Sequence, residues 1–159
     1  MLEAGDVESN PGPRRLTHDL SILHLNIRSI RNKLDYIKDN YLDFDILTFS
    51  ETHLEANVLS ESLVLSDNFS EPYRRDRNSH GGGVAIYLSK ELIHCRRQDL
   101  ENFWDESIWI ELKVNIENYL IGLFYSPKSY DQIFFNNLNL NIEKAFHISK
   151  NIIILGDMN

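Results

Sequence analysis

The sequence predicts an α/β domain with mixed sheets, and three observations lead there. Short apolar runs of strand length recur along the chain. Two stretches between them carry apolar residues at helical spacing, and the opening order is strand, helix, strand. At 159 residues, with 42% hydrophobic and 25% charged residues, the chain has the size and composition of one domain with one sizeable core.

Leu20 to Ile27 (L-S-I-L-H-L-N-I) suits a buried strand. From Ser29, a candidate N-cap, the period changes: Ile30, Leu34, Ile37 and Tyr41 share one helical face. Phe44 to Ser50 reads as a second strand, and a polar loop runs from Thr52 to about Tyr73. Gly81-Gly82-Gly83 introduces a third strand, V-A-I-Y-L. This glycine triplet lacks the Lys-Ser/Thr of a Walker loop and the spacing of a dinucleotide fingerprint, so it is a tight turn. Ile108, Ile110, Leu112 and Val114 alternate with Trp109, Glu111 and Lys113, giving a fourth strand. A turn near Asn115 to Asn118 leads into Y-L-I-G-L-F-Y, a fifth; Trp109 and Phe124 belong to the core or lie between layers. Phe135, Leu138, Ile142, Ala145 and Phe146 define a second helix, and N-I-I-I-L-G-D is the last strand.

Composition excludes several classes. The lone Cys95 rules out an intrachain disulfide and a cysteine-based zinc cluster, and makes a reducing compartment the default. No apolar run reaches the length of a bilayer span and no signal-peptide core opens the chain, so a soluble domain with no membrane role is expected. A formal charge of −8 argues against nonspecific coating of DNA. Basic residues nevertheless cluster, as Arg28, Arg31 and Lys33, as Arg74, Arg75 and Arg77, and as Arg96 and Arg97. Salt screening confines charges to about 8–10 Å of influence, so a local basic rim is compatible with an acidic total. Arg74, Arg75 and Arg77 fit two roles equally well, DNA phosphate contacts or surface ion pairs with Asp76 and its neighbours.

Polar residues stand where the apolar strands stop: Asn26 after the first, Glu51 after the second, Asp157 and Asn159 after the last. Each alone is explained by a turn or a cap. Together, at strand exits where layered α/β folds bind ligands, they point to a site. Two carboxylates suit Mg²⁺, which is commonly held by one or two acids while keeping several waters, and asparagines add hydrogen bonds without charge. Such a set fits phosphoryl chemistry, with the ion stabilising charge that develops on phosphoryl oxygens. His53 either tunes Glu51 or fills space behind it, and the second is favoured.

H-L-N-I-R-S, D-I-L-T-F-S-E-T-H-L, Y-R-R-D-R-N-S-H-G-G-G-V-A-I-Y, S-I-W-I-E-L, I-G-L-F-Y-S-P and I-I-I-L-G-D-M-N occur in that order. As an ordered set they resemble the endonuclease/exonuclease/phosphatase superfamily. The form is most similar to the apurinic-type endonuclease domain of CR1-like and Jockey-like non-LTR retrotransposons. The resemblance implies a four-layered α/β sandwich of the DNase I-like type over residues 18–159, incomplete at the C-terminus. It implies Mg²⁺, with Mn²⁺ possible, and hydrolysis of one DNA strand to leave a 3′-hydroxyl that primes reverse transcription. By that resemblance Glu51 would hold the metal, supported by Asn26, which also bonds Asp157. Tyr125 would contact the scissile phosphate, Asp157 would orient the attacking water, and Asn159 would help position both. The family also has a distal Asp and a Ser-Asp-His-like motif that this sequence lacks, so little or no nuclease activity is expected of the chain alone.

Residues 1–13 form a separate leader, expected to be disordered, in which D-V-E-S-N-P-G-P resembles a 2A-type ribosome-skipping peptide. The skipped bond would join Gly12 and Pro13, although the family usually has a longer stretch upstream. The resemblance further implies target DNA as partner, a reverse transcriptase domain in the full protein, and an intracellular protein acting in the nucleus, with the cytoplasm as the alternative. Two competing functions are a phosphatase or phosphodiesterase of the same superfamily acting on lipid or inositol headgroups, and a non-catalytic translated remnant. Oligomeric state and target-site preference are open.

Overall fold

The computed structural model describes residues 19–102, 105–126 and 132–158; Gly12 and Pro13 of the leader and Asn159 lie outside them. Strands β1 (Ile22–Asn26), β2 (Ile46–Ser50), β3 (Tyr73–Arg75) and β4 (Val84–Leu88) form one sheet in the order β1-β2-β4-β3. In it β1 runs parallel to β2, and the other pairings are antiparallel. Strands β5 (Ile93–Arg96), β6 (Glu106–Val114), β7 (Glu117–Ser126) and β8 (Asn151–Met158) form the second sheet in chain order, with β8 parallel to β7.

Side-chain alternation stacks these sheets. Val84, Ile86 and Leu88 of β4 meet Ile108, Ile110 and Leu112 of β6 and Ile121 and Leu123 of β7 in a core between the sheets. The intervening residues point outward. Leu47, Phe49, Ala85 and Tyr87 pack beneath helix α1 (Leu34–Tyr41) through Ile37. On the other side Trp109, Leu120 and Phe124 pack beneath α2 (Gln132–Phe146) through Phe134, Leu138 and Ala145, with the Trp109 and Phe124 rings edge-to-face at 5.5 Å. Helix, sheet, sheet, helix is the four-layered α/β sandwich expected. It also explains why the strands read as apolar runs: both faces of each sheet are covered.

The structure differs from the expectation at three places. Strands β3 and β5 carry no sequence signature, because β3 has three residues and Ile93 of β5 is 49% exposed. Ser29 caps no helix: it sits at φ 76°, its N–H donates to the Glu51 carbonyl at 2.8 Å, and a 3₁₀ turn over Arg31–Lys33 precedes α1. The polar loop is anchored, since Leu54, Leu63, Leu65 and Phe69 are buried in the core beneath α1 and the Tyr87 hydroxyl donates to the Leu63 carbonyl at 3.0 Å.

Strands β1 and β8 are the adjacent edges of the two sheets, each with one strand neighbour among the described residues. The sequence between the apolar run of β8 and its acid is shaped by Gly156, which has φ +146°, and a Cβ there would overlap the Phe124 carbonyl. Gly156→Ala is therefore expected to destabilise the fold by about 3 kcal/mol, through backbone strain plus overpacking. Urea unfolding of the variant against the wild type measures it.

Candidate active site

The site forms where the ends of both sheets meet. Asn26 closes β1, Glu51 follows β2, and Tyr125 and Asp157 lie opposite each other near the ends of β7 and β8. The parallel pairing of β1 and β2 continues beyond the strands: Ile27 N–H donates to Ser50 O at 2.9 Å, Ser29 N–H to Glu51 O, and Ile30 N–H to Thr52 O at 3.1 Å. The ladder zips two loops together so that Asn26 and Glu51 are presented side by side. On its other flank the Glu51 loop is fixed to the glycine turn, by Thr52 N–H to Gly83 O at 3.2 Å and His53 N–H to Gly82 O at 3.0 Å.

Two hydrogen bonds join the sheets across the site. The Asn26 amide donates from Nδ2 to Asp157 Oδ2 at 2.7 Å, and the Tyr125 hydroxyl donates to Glu51 Oε1 at 3.1 Å. Asn26 is also the strongest influence on Glu51, whose carboxyl is held below its ordinary range. Its hydrogen bond outweighs partial burial, and Tyr125, Arg28 and His53 act in the same direction. Glu51 is therefore an anion ready for a cation. Tyr125 is pushed up to about 12, first by burial and then by the charge of Glu51, so it stays a neutral donor.

Four of the five residues expected at the site thus come together, and the fifth, Asn159, lies outside the described residues. His53 sits with Nε2 3.8 Å from Glu51 Oε2. The arginines resolve less evenly. Arg74 is engaged inside the protein, donating to the Val58 carbonyl and pairing with Asp76 at 3.1 Å. Arg75 faces Glu101 at 3.9 Å. Arg77 pairs with Glu106 at 3.0 Å and lies over the Tyr125 ring, 5.9 Å from its centre.

Sequence reasoning missed Glu106 and His24. Glu106 is directly across from Tyr125 in the β6–β7 register, a relation visible only once that pairing is known. His24 lies two residues before Asn26, hence on the same strand face. With Asn26, Gly156, Asp157 and Met158 it lines an open cavity of about 320 Å³. Its imidazole bonds Thr48 Oγ1 at 3.0 Å and is pushed down chiefly by burial, against the pull of Asp157.

Among the described residues no three His, Cys, Asp or Glu side chains cluster into a metal cage. The donors present are two half-buried carboxylates, an exposed side-chain amide and a buried phenol, each offering oxygen. That set fits a hard divalent ion that keeps several of its waters, with Glu51 and Asp157 supplying the charge.

The chain matches the Endonuclease/Exonuclease/phosphatase family over residues 12–159. No curated protein sequence matches it. Solved structures do. The endonuclease domain of TRAS1, a telomere-specific non-LTR retrotransposon, is 11% identical with a TM-score of 0.60, covering 87% of this chain and 58% of its own. The Xenopus laevis APE2 catalytic domain is 19% identical with a TM-score of 0.67, covering 88% and 58%. The Neisseria 3′ phosphatase NExo, bound to a product DNA hairpin, is 16% identical with a TM-score of 0.61, covering 87% and 57%. At these identities the likeness is one of fold, and the chain spans less than two thirds of each structure.

The depressed Glu51 carboxyl has a measurable consequence. A group whose pKa falls on folding contributes stability above its ordinary value of 4.5, and loses it as pH drops through the lower folded value. The stability advantage of the wild type over Glu51→Gln is expected to be full at neutral pH and to shrink on acidification below 4.5. Thermal unfolding of both proteins across that range checks it; a constant difference contradicts the assignment.

Proposed function

The chain belongs to the endonuclease/exonuclease/phosphatase family, hydrolases of phosphoester bonds, and we propose that it is a Mg²⁺-dependent DNA endonuclease of the non-LTR retrotransposon type. The observation that carries this reading is the Asn26 side chain, which bonds Asp157 across the two sheets and favours an ionised Glu51. The printed descriptions of TRAS1 as a retrotransposon endonuclease and of NExo with a DNA hairpin support DNA as the substrate class.

In this reading Glu51 would hold the ion, Mg²⁺ or Mn²⁺, with Asn26 supporting it. The bound ion supplies charge stabilisation for the phosphoryl oxygens in the transition state. The chain's own residues do the positioning. Asp157 uses one oxygen on Asn26 and keeps the other for the hydrogen of an attacking water. Tyr125, neutral at working pH, turns its hydroxyl toward the scissile phosphate, and Asn159 assists. The water oxygen bonds to phosphorus as the bond to the 3′ oxygen breaks, leaving a 3′-hydroxyl. Arg28 and Arg31, both exposed on the loop after β1, bring positive charge for the DNA backbone, and Arg28 is close enough to act on Glu51. The wider assignment is a CR1- or Jockey-like element with a reverse transcriptase domain. It includes a 2A-like bond between Gly12 and Pro13 and action on nuclear DNA, and it rests on the sequence resemblance alone.

A second reading, hydrolysis of a small phosphoester such as an inositol phosphate, draws on the charge of −8 and the internal pairing of Arg74, Arg75, Arg96 and Arg97.

Two measurements decide. Mg²⁺ is expected to stabilise the wild type by RT ln(1 + [Mg²⁺]/Kd), read as a rise in melting temperature, and to leave the melting temperature of Glu51→Ala unchanged. Supercoiled plasmid with Mg²⁺ is expected to be nicked at a low rate that falls about 100-fold or more in Glu51→Ala. Turnover of an inositol phosphate without nicking would reject DNA as substrate.

A further inference from the structure

Taking Glu51 and Tyr125 as the active-site pair proposed above, a third layer of residues surrounds them. We propose that Arg77, gripped by Glu106, is a positioning residue that holds the Tyr125 ring in place beside Glu51. Arg77 Nη1 donates to Glu106 Oε1 at 3.0 Å, its Nε donates to the Gly81 carbonyl at 3.0 Å, and its Cζ lies 5.9 Å from the centre of the Tyr125 ring. That separation is within the range of attraction between a cation and an aromatic face. Glu106 completes the grip from below, with its second oxygen accepting the Gly83 N–H. Because Glu106 opposes Tyr125 across β6 and β7, acid, guanidinium and ring share one face of the sheet.

The clamp reaches both partners of the Tyr125–Glu51 hydrogen bond. On one side Arg77 covers the ring. On the other, Gly82 and Gly83, pressed against the Arg77–Glu106 pair, accept the N–H groups of His53 and Thr52 and so hold the loop that carries Glu51. The contact is close enough to demand glycine: a Cβ at Gly82, where φ is +70°, would stand 2.5 Å from Arg77 Nε and 2.7 Å from Glu106 Oε2. The role calls for arginine in particular. A planar fork can bond a carboxylate and a carbonyl while lying over a ring, and an ammonium offers no such fork. Arg77 is the most exposed of the paired arginines, at 36%, and what singles it out is this contact with the ring.

The test reads Tyr125 itself. The full 159-residue chain is prepared with 3-fluorotyrosine, the Tyr125 signal is assigned by its loss in Tyr125→Phe, and ¹⁹F spectra are recorded at fixed neutral pH. Arg77→Met and Glu106→Gln are each expected to shift and broaden the Tyr125 signal, while Arg96→Met, which breaks an ion pair elsewhere on the second sheet, leaves it in place. Should Arg77→Met fail to fold, Arg77→Lys takes its place with the same expected shift, since lysine keeps the charge and loses the fork. A Tyr125 signal unchanged in a folded Arg77 variant overturns the proposal. Glu51→Gln serves as the separating arm: a response to it without one to Arg77 leaves the Tyr125–Glu51 bond standing and removes the positioning role. A response to Arg77 in a chain that hydrolyses inositol phosphate and never nicks plasmid removes the endonuclease reading and keeps the positioning role.

Discussion

The arrangement of the site depends on Asn26. It stands at the open edge of the first sheet and donates to Asp157 at the open edge of the second, while its amide is the contact that most favours the ionised form of Glu51. Two carboxylates drawn together in a partly buried corner repel, and the usual outcome is that one of them stays protonated. A neutral side chain that donates to Asp157 and favours the ionised form of Glu51 relieves this without adding charge. An acid at position 26 would add a third negative charge, and an aliphatic residue would leave both carboxylates short of a donor. The charge state of Glu51 and the docking of the two sheets at this end both run through this one side chain.

Holding that corner costs backbone strain. Arg28, Ser29, Glu51 and His53 all have positive φ, between 45° and 76°, in the two loops that flank the site. Non-glycine residues rarely occupy this region, and each such residue costs of order 1–3 kcal/mol unless its surroundings impose it. Here the surroundings do. The hydrogen bonds from Ser29 and Ile30 to the Glu51 loop, and from Thr52 and His53 to the glycine turn, leave those segments little alternative. The cores between and outside the sheets are ordinary apolar packing that can support it. Four of the five non-glycine residues with positive φ among the described residues lie in these two loops, and the fifth, Asn115, sits in the turn between β6 and β7.

Much of this could be read from residue order. Strands covered on both faces leave apolar runs, so β1, β2, β4, β7 and β8 were visible, and β6 was visible by its alternation; Asn26, Glu51 and Asp157 drew attention as polar residues at strand ends, and Tyr125 only through the family resemblance. What escaped has a shared physical character. Strands β3 and β5 exist through pairing with a neighbour and not through a pattern of their own, and a three-residue segment cannot show a period. Ser29 has the composition of a helix cap but is claimed by a long-range bond to Glu51, and tertiary contacts override local preference there. Glu106 and Arg77 are 29 residues apart, and their partnership follows from strand register, which the sequence does not display.

Charge shows the same distinction between what composition counts and what folding arranges. Clusters of arginine suggested a basic rim, yet Arg74, Arg96 and Arg97 are committed to Asp76, Glu101, Asp99 and Glu111 within the protein. Such pairs neutralise locally and contribute little reach beyond a few ångströms of solvent. In the proposed reading, affinity for a polyanion would come from few points: the exposed Arg28 and Arg31, the hydrogen-bond donors at strand ends, and a cation that offsets the charge of Glu51 and Asp157. Without the cation, those two acids would oppose a phosphate approaching the very residues that would act on it. In the reading proposed above, an acidic domain with its arginines engaged internally would make substrate binding conditional on the metal, whereas a broadly basic surface would bind DNA with or without it.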